Sequence, residues 1–164
     1  MYKLVVGALA LLALPAIAEE AIITGNVESK CQINTDINGV FGNPTAGTLS
    51  TLPADGGVMP IIRYDVALGE AYTARVIAPS SFSTSPALDD IVVWTADVEV
   101  NEVSDTAMAD YETDKIQYEY TTEFDLHTAG STWFKVTSKA EYGYGRSLPG
   151  GQYRAIVMAE CIAN

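Results

Sequence analysis

The sequence predicts an all-β chain folded as an antiparallel β-sandwich of about seven strands. Three observations carry this prediction. Several stretches alternate apolar and polar residues with a period of two, and clusters of Gly, Pro, Asn, Ser and Thr separate them at sandwich-like spacing. The nearest approach to a helix is a single turn over residues 104–111, too short to stand alone.

Residues 1–18 read as a secretory signal peptide, with Lys3 as its positive start, an apolar run over residues 4–14, and Ala16-Ile17-Ala18 as an A-x-A cleavage site. The folded unit expected is then one sandwich domain over residues 19–164. The apolar run is too short for an ordinary spanning helix, so direct membrane insertion is not expected. Ala21, Ile23, Gly25 and Val27 alternate with Ile22, Thr24, Asn26 and Glu28, which opens a first strand over residues 21–37. Residues 38–60, rich in Gly, Pro, Asn, Ser and Thr, form a long connection with room for one short edge strand.

Residues 61–68 and 72–78 both alternate and flank Gly69-Glu70, which predicts a hairpin. Residues 79–90 are a loop by composition. Val92, Trp94, Ala96, Val98 and Val100 mark the strongest central strand. Over residues 114–125 the alternation is clearest, with Ile116, Tyr118, Tyr120, Thr122 and Phe124 expected on the core face. Phe134 and Val136 mark a strand over residues 132–138, and residues 140–151 read as a Gly- and Tyr-rich loop. Pro149-Gly150-Gly151 is a turn feeding a last strand, half-buried at first and then covered on both faces.

Acidic residues outnumber basic ones by 21 to 9, for a net charge of −12. Nucleic acid is therefore excluded as a partner, since phosphate backbones need the opposite sign. The charges are scattered, as on a solvated surface. Cys31 and Cys161 are the two cysteines, one in the first strand and one in the last. An exported chain permits a disulfide. Paired within the chain, they close a loop whose constraint on the unfolded state is worth roughly 5 kcal/mol. The sequence leaves open whether they pair within or between chains.

No catalytic residue, cofactor or metal ligand is expected. His127 is the one histidine, but no nucleophile setting accompanies it, so it reads as a surface loop residue. Asn34, Asp36, Asn38 and Gly39 approximate half of a calcium loop, yet Thr45 stands where the bidentate Glu belongs, and a polar turn is preferred. Asp89-Asp90 and Asp97 with Glu99 read as solvent-facing charges. Trp94 belongs to an apolar face. Trp133 shares a face with Lys135 and Thr137 and is a candidate ligand contact, together with Tyr142 and Tyr144 in a possible adhesive loop.

Gly25-x-Val27 followed by Cys31-x-Ile33, with Gly151 standing thirteen residues before the end, resembles the first and last strands of bacterial chaperone-usher fimbrial subunits. The resemblance implies an immunoglobulin-like sandwich exported through the periplasm with a chaperone and an usher, and joined into a homopolymeric surface filament by β-augmentation. It makes Ala21, Ile23, Gly25 and Val27 donor-strand residues, and places Gly151, Tyr153, Ile156, Met158 and Ile162 in the terminal strand on the accepting side. Two readings follow: a filament subunit that donates its N-terminal strand, or a self-complete, monomeric, secreted module that binds a glycan or surface through loops around Phe82, Trp133 and Tyr142.

Overall fold

A computed structural model describes residues 23–25, 30–67, 69, 72–143 and 145–164. In chain order its strands are β1 (Cys31–Ile37), β2 (Gly42–Thr45), β3 (Thr48–Ser50), β4 (Ile61–Val66) and β5 (Tyr72–Ile77). There follow β6 (Val92–Val103), the single-turn helix α1 (Tyr111–Asp114), β7 (Ile116–Tyr118), β8 (Thr121–Asp125), β9 (Gly130–Tyr142) and β10 (Met158–Ala163). The predicted all-β sandwich is what forms. One antiparallel sheet holds β1, β4, β9, β3, β2 and β6, and the other runs β10-β5-β8-β7.

β9 organises the larger sheet. It pairs with β6 along one side, and with β4 and then β3 along the other. Its inward residues Thr132, Phe134, Val136, Ser138, Ala140 and Tyr142 are all buried. The sequence ended this strand at Ser138, because Thr132, Ser138 and Ala140 give a pattern search little apolar contrast. Phe134 meets Phe124 of the opposite sheet at 4.2 Å between ring centroids, and Tyr64 packs edge-on against it at 5.5 Å. These rings, with Val76, Val98 and Val136, fill the space between the layers.

Five expectations are corrected. The hairpin over residues 61–78 does not form: β4 pairs with β1 and β9, β5 with β8 and β10, so the chain crosses from one sheet to the other between them. Both strands alternate well because each has one face on the shared core, and alternation is blind to which neighbour supplies the hydrogen bonds. The strand expected to be central, β6, lies at the margin of its sheet. Residues 114–125 are two strands joined by a tight turn at Glu119-Tyr120, so Phe124 and Thr122 are buried while Ile116 is 62% exposed. The last strand begins at Met158, pairs with β5 alone, and keeps Met158 and Glu160 exposed rather than covered. The first strand begins at Cys31; Ile23 and Gly25 belong to no strand, and Ala21, Val27 and residues 1–18 lie outside the described residues.

Glu119 turns the corner with φ of 51°, the one non-glycine residue at positive φ among those described. A side chain there strains the backbone by about 1 kcal/mol. Glu119→Gly is therefore expected to raise the thermal midpoint by about 2–4 °C, read by calorimetry. A lowered midpoint means that the turn is not strained.

Candidate functional site

β1 and β10 are each the last strand of a sheet, and the disulfide Cys31–Cys161 joins them with Cα atoms 6.4 Å apart. Among the described residues, two unpaired strand edges therefore run along one flank of the sandwich, stapled at one end. Tyr64 pins the same flank from inside. Its side chain crosses the core and its hydroxyl donates to the carbonyls of Arg75 at 3.0 Å and Glu160 at 3.1 Å. Burial pushes this hydroxyl far above the usual phenol range, which keeps it a neutral donor.

At the other end of the flank the sheets part. The ladder between β10 and β5 stops at Met158 opposite Ile77. Just beyond, Ala78 gives its N–H to the Tyr120 carbonyl at 2.8 Å, and Pro79 has none, so residues 156 and 157 find no donor in the continuation of β5. This opens a cleft of about 320 Å³ lined by Phe41, Thr51, Ile62, Pro79, Ser138 and Val157. A second space of about 380 Å³ continues it past Gly39, Phe41, Tyr153 and Ala155. Arg154 lines both and is the one charged residue in either among the described residues. Ile37, Val40, Ile156 and Met158, along the same stretches of chain, are all exposed.

The structure thus brings Gly151, Tyr153 and Ile156 of the terminal-strand candidates to the cleft, and leaves Met158 and Ile162 in β10 outside it. Tyr153 turns inward against Phe82 at 5.0 Å, and Ile156 lines the cleft. Gly151, at φ of 155°, sits where a Cβ would approach Pro86 Cγ to 2.5 Å, so the turn into this run needs a glycine. Of the donor candidates that are described, Ile23 is 96% exposed and Gly25 has open space around it. The sequence missed Phe41, Thr51, Pro79 and Ser138, which come to the cleft from loops and strand ends. Pro79 was the available signal: a proline just past an alternating run marks where a ladder ends.

The other candidates lie elsewhere. Trp133 is half-buried on the outer face of β9, where its indole N–H donates to Asp36 at 2.8 Å and the Arg63 guanidinium sits 5.9 Å above the ring. Asn34 donates to Asp65, so Asn34 and Asp36 belong to a network on the sheet face. Tyr142 is 5% exposed, and its hydroxyl donates to Asp89, which also pairs with Arg146 at 2.8 Å. Those two contacts, the Tyr142 bond first, hold the Asp89 carboxyl below its ordinary value. Tyr144 lies outside the described residues, and Phe82 stacks edge-on with Phe41 and Trp94. His127 bonds Thr128 and Asp110 and packs against Tyr111. Asp97 and Glu99 meet Lys115 and Lys135 respectively.

Compared with models of protein families, with curated proteins and with solved structures, the chain matches none.

Proposed function

We propose that this chain is a non-enzymatic structural subunit of a bacterial surface filament, exported through the periplasm, whose copies join by strand addition at the β1/β10 flank. The strand added is the N-terminal segment of a neighbouring copy. The observation that carries this reading is the cleft itself, a slot of mixed polar and apolar lining at the open end of the β1/β10 flank, beside the run 154–157 that precedes β10 and has no partner in β5, where an incoming strand gains main-chain bonds and side-chain contact together. Two further features support it. Ile23, an apolar residue in that segment, is almost fully exposed. The segment begins Glu19-Glu20 ahead of Ala21-Ile22-Ile23, and the slot's single charge is Arg154.

Ile23 touches little in the single subunit, so Ile23→Asp leaves the monomer's fold alone. Burying isoleucine is worth about 1.5–3 kcal/mol, and an unpaired carboxylate in its place adds a desolvation penalty. On a non-reducing gel of native surface material the parent chain is expected to give a ladder that collapses on boiling. Ile23→Asp is expected to give mostly monomer. A parent monomer in both lanes, or an unchanged ladder in the variant, sinks the reading.

A further inference from the structure

β6 is the longest strand that borders its sheet, and its free edge is partly capped by side chains rather than paired with another strand. With residues 93, 95, 97 and 99 facing β9 through the ladder, the polar backbone groups of residues 94, 96, 98 and 100 point away from it. The segment that follows supplies partners for three of these groups, and Asp97 of β6 itself for a fourth. Tyr120 donates its hydroxyl to the Trp94 carbonyl at 3.1 Å, and Lys115 donates to the Val98 carbonyl at 2.8 Å. Val100 gives its N–H to the Glu112 carboxylate at 2.7 Å, and Val98 gives its own to Asp97 at 2.8 Å. Glu112 and Lys115 are themselves paired at 2.6 Å, so the closures are linked.

The segment is held firmly enough to serve. Met108 and Tyr111 are its two buried anchors, and the Tyr111 hydroxyl accepts the N–H of Thr128 at 3.0 Å. Asp105 caps the turn at the segment's start by accepting from the N–H of Ala107 at 2.8 Å. A bare twelve-residue edge is a template for another chain. The other bordering strands β2 and β7 are four and three residues long, and β2 carries Pro44.

We propose that residues 105–120 are an edge guard, which seals β6 against pairing with a second copy of this chain and so confines strand pairing between copies to the β1/β10 flank. The guard makes assembly one-sided, because a second sealed edge prevents lateral, two-way growth. The confinement to the β1/β10 flank rests on the reading above, whereas the guarding of β6 is tested apart from it, whichever segment occupies the cleft.

The test compares the full chain with Glu112→Ala/Lys115→Met by sedimentation at rising concentration, near-ultraviolet circular dichroism confirming native packing. The double variant is expected to form oligomers in excess of those of the parent. Adding Ala96→Pro, which removes an outward N–H from β6 without touching the β9 ladder, is expected to abolish that excess. Native packing with no excess overturns the proposal, as does an excess that Ala96→Pro leaves in place. Should the double variant lose its packing, Lys115→Met alone, which keeps the side-chain stem, is judged by the same two criteria.

Discussion

Replacing both cysteines, Cys31→Ser with Cys161→Ser, is expected to lower the unfolding free energy by about 2–5 kcal/mol. The bridge spans 130 positions, almost the whole described fold, so it removes a large share of the unfolded chain's freedom. Few native contacts compensate on that flank, because β1 and β10 each pair on one side only. The folded protein has a total stability of about 5–15 kcal/mol, so the variant should unfold at a much lower urea concentration. A midpoint within error of the parent's would mean that Tyr64 and the apolar contacts hold the flank without the bridge.

The second large effect is expected at Tyr64. Tyr64→Phe keeps the ring against Phe134 and removes only the hydroxyl shared by Arg75 and Glu160. Two part-buried carbonyls lose a common donor, for a loss of about 1–3 kcal/mol. The pH dependence has a definite sign. The folded state raises the Tyr64 pKa, so its contribution is complete below the ordinary phenol value of about 10 and is lost as pH climbs above it, where the unfolded chain ionises first. Tyr64→Phe should therefore weaken the protein at neutral pH and flatten its alkaline loss. A part of that loss remains, since burial also raises Tyr111. Denaturant titrations at neutral pH and above pH 10 measure both, and an alkaline slope identical to the parent's would mean that Tyr64 does not titrate through unfolding.

Residues that advertise their own environment were legible in the sequence, and pairings between distant residues were not. Val98 and Val76 sit in alternating runs, and both are in the core. That Cys31 and Cys161 had only each other as a partner within the chain was legible, but that the bridge forms within the chain rather than between copies came from the structure. By contrast, β9 was read too short, since the buried Ala140 and Tyr142 fall in a stretch that its glycines and tyrosines mark as a loop. Nothing local says that β4 and β5 part company, because the choice is made by β1, β9 and β8, which lie far away in sequence. The cleft is of the same kind. Phe41, Thr51 and Ser138 come from separate elements, and only Pro79 announces in advance that a ladder must end there. Glu119 misled for a different reason: nothing about a glutamate in an alternating run signals a left-handed turn, and φ of 51° is imposed by the strands on either side.

The position of the bridge also decides how the domain carries a load. Tension drawn through the chain ahead of Cys31 and behind Cys161 passes across the sulfur–sulfur bond and bypasses the 130 positions between them. Stretched out, that length of chain would yield roughly 430 Å at about 3.3 Å per residue. Oxidised, the domain is a nearly inextensible link whose core feels little of a pull along the backbone; reduced, it becomes a spring with hundreds of ångströms of travel.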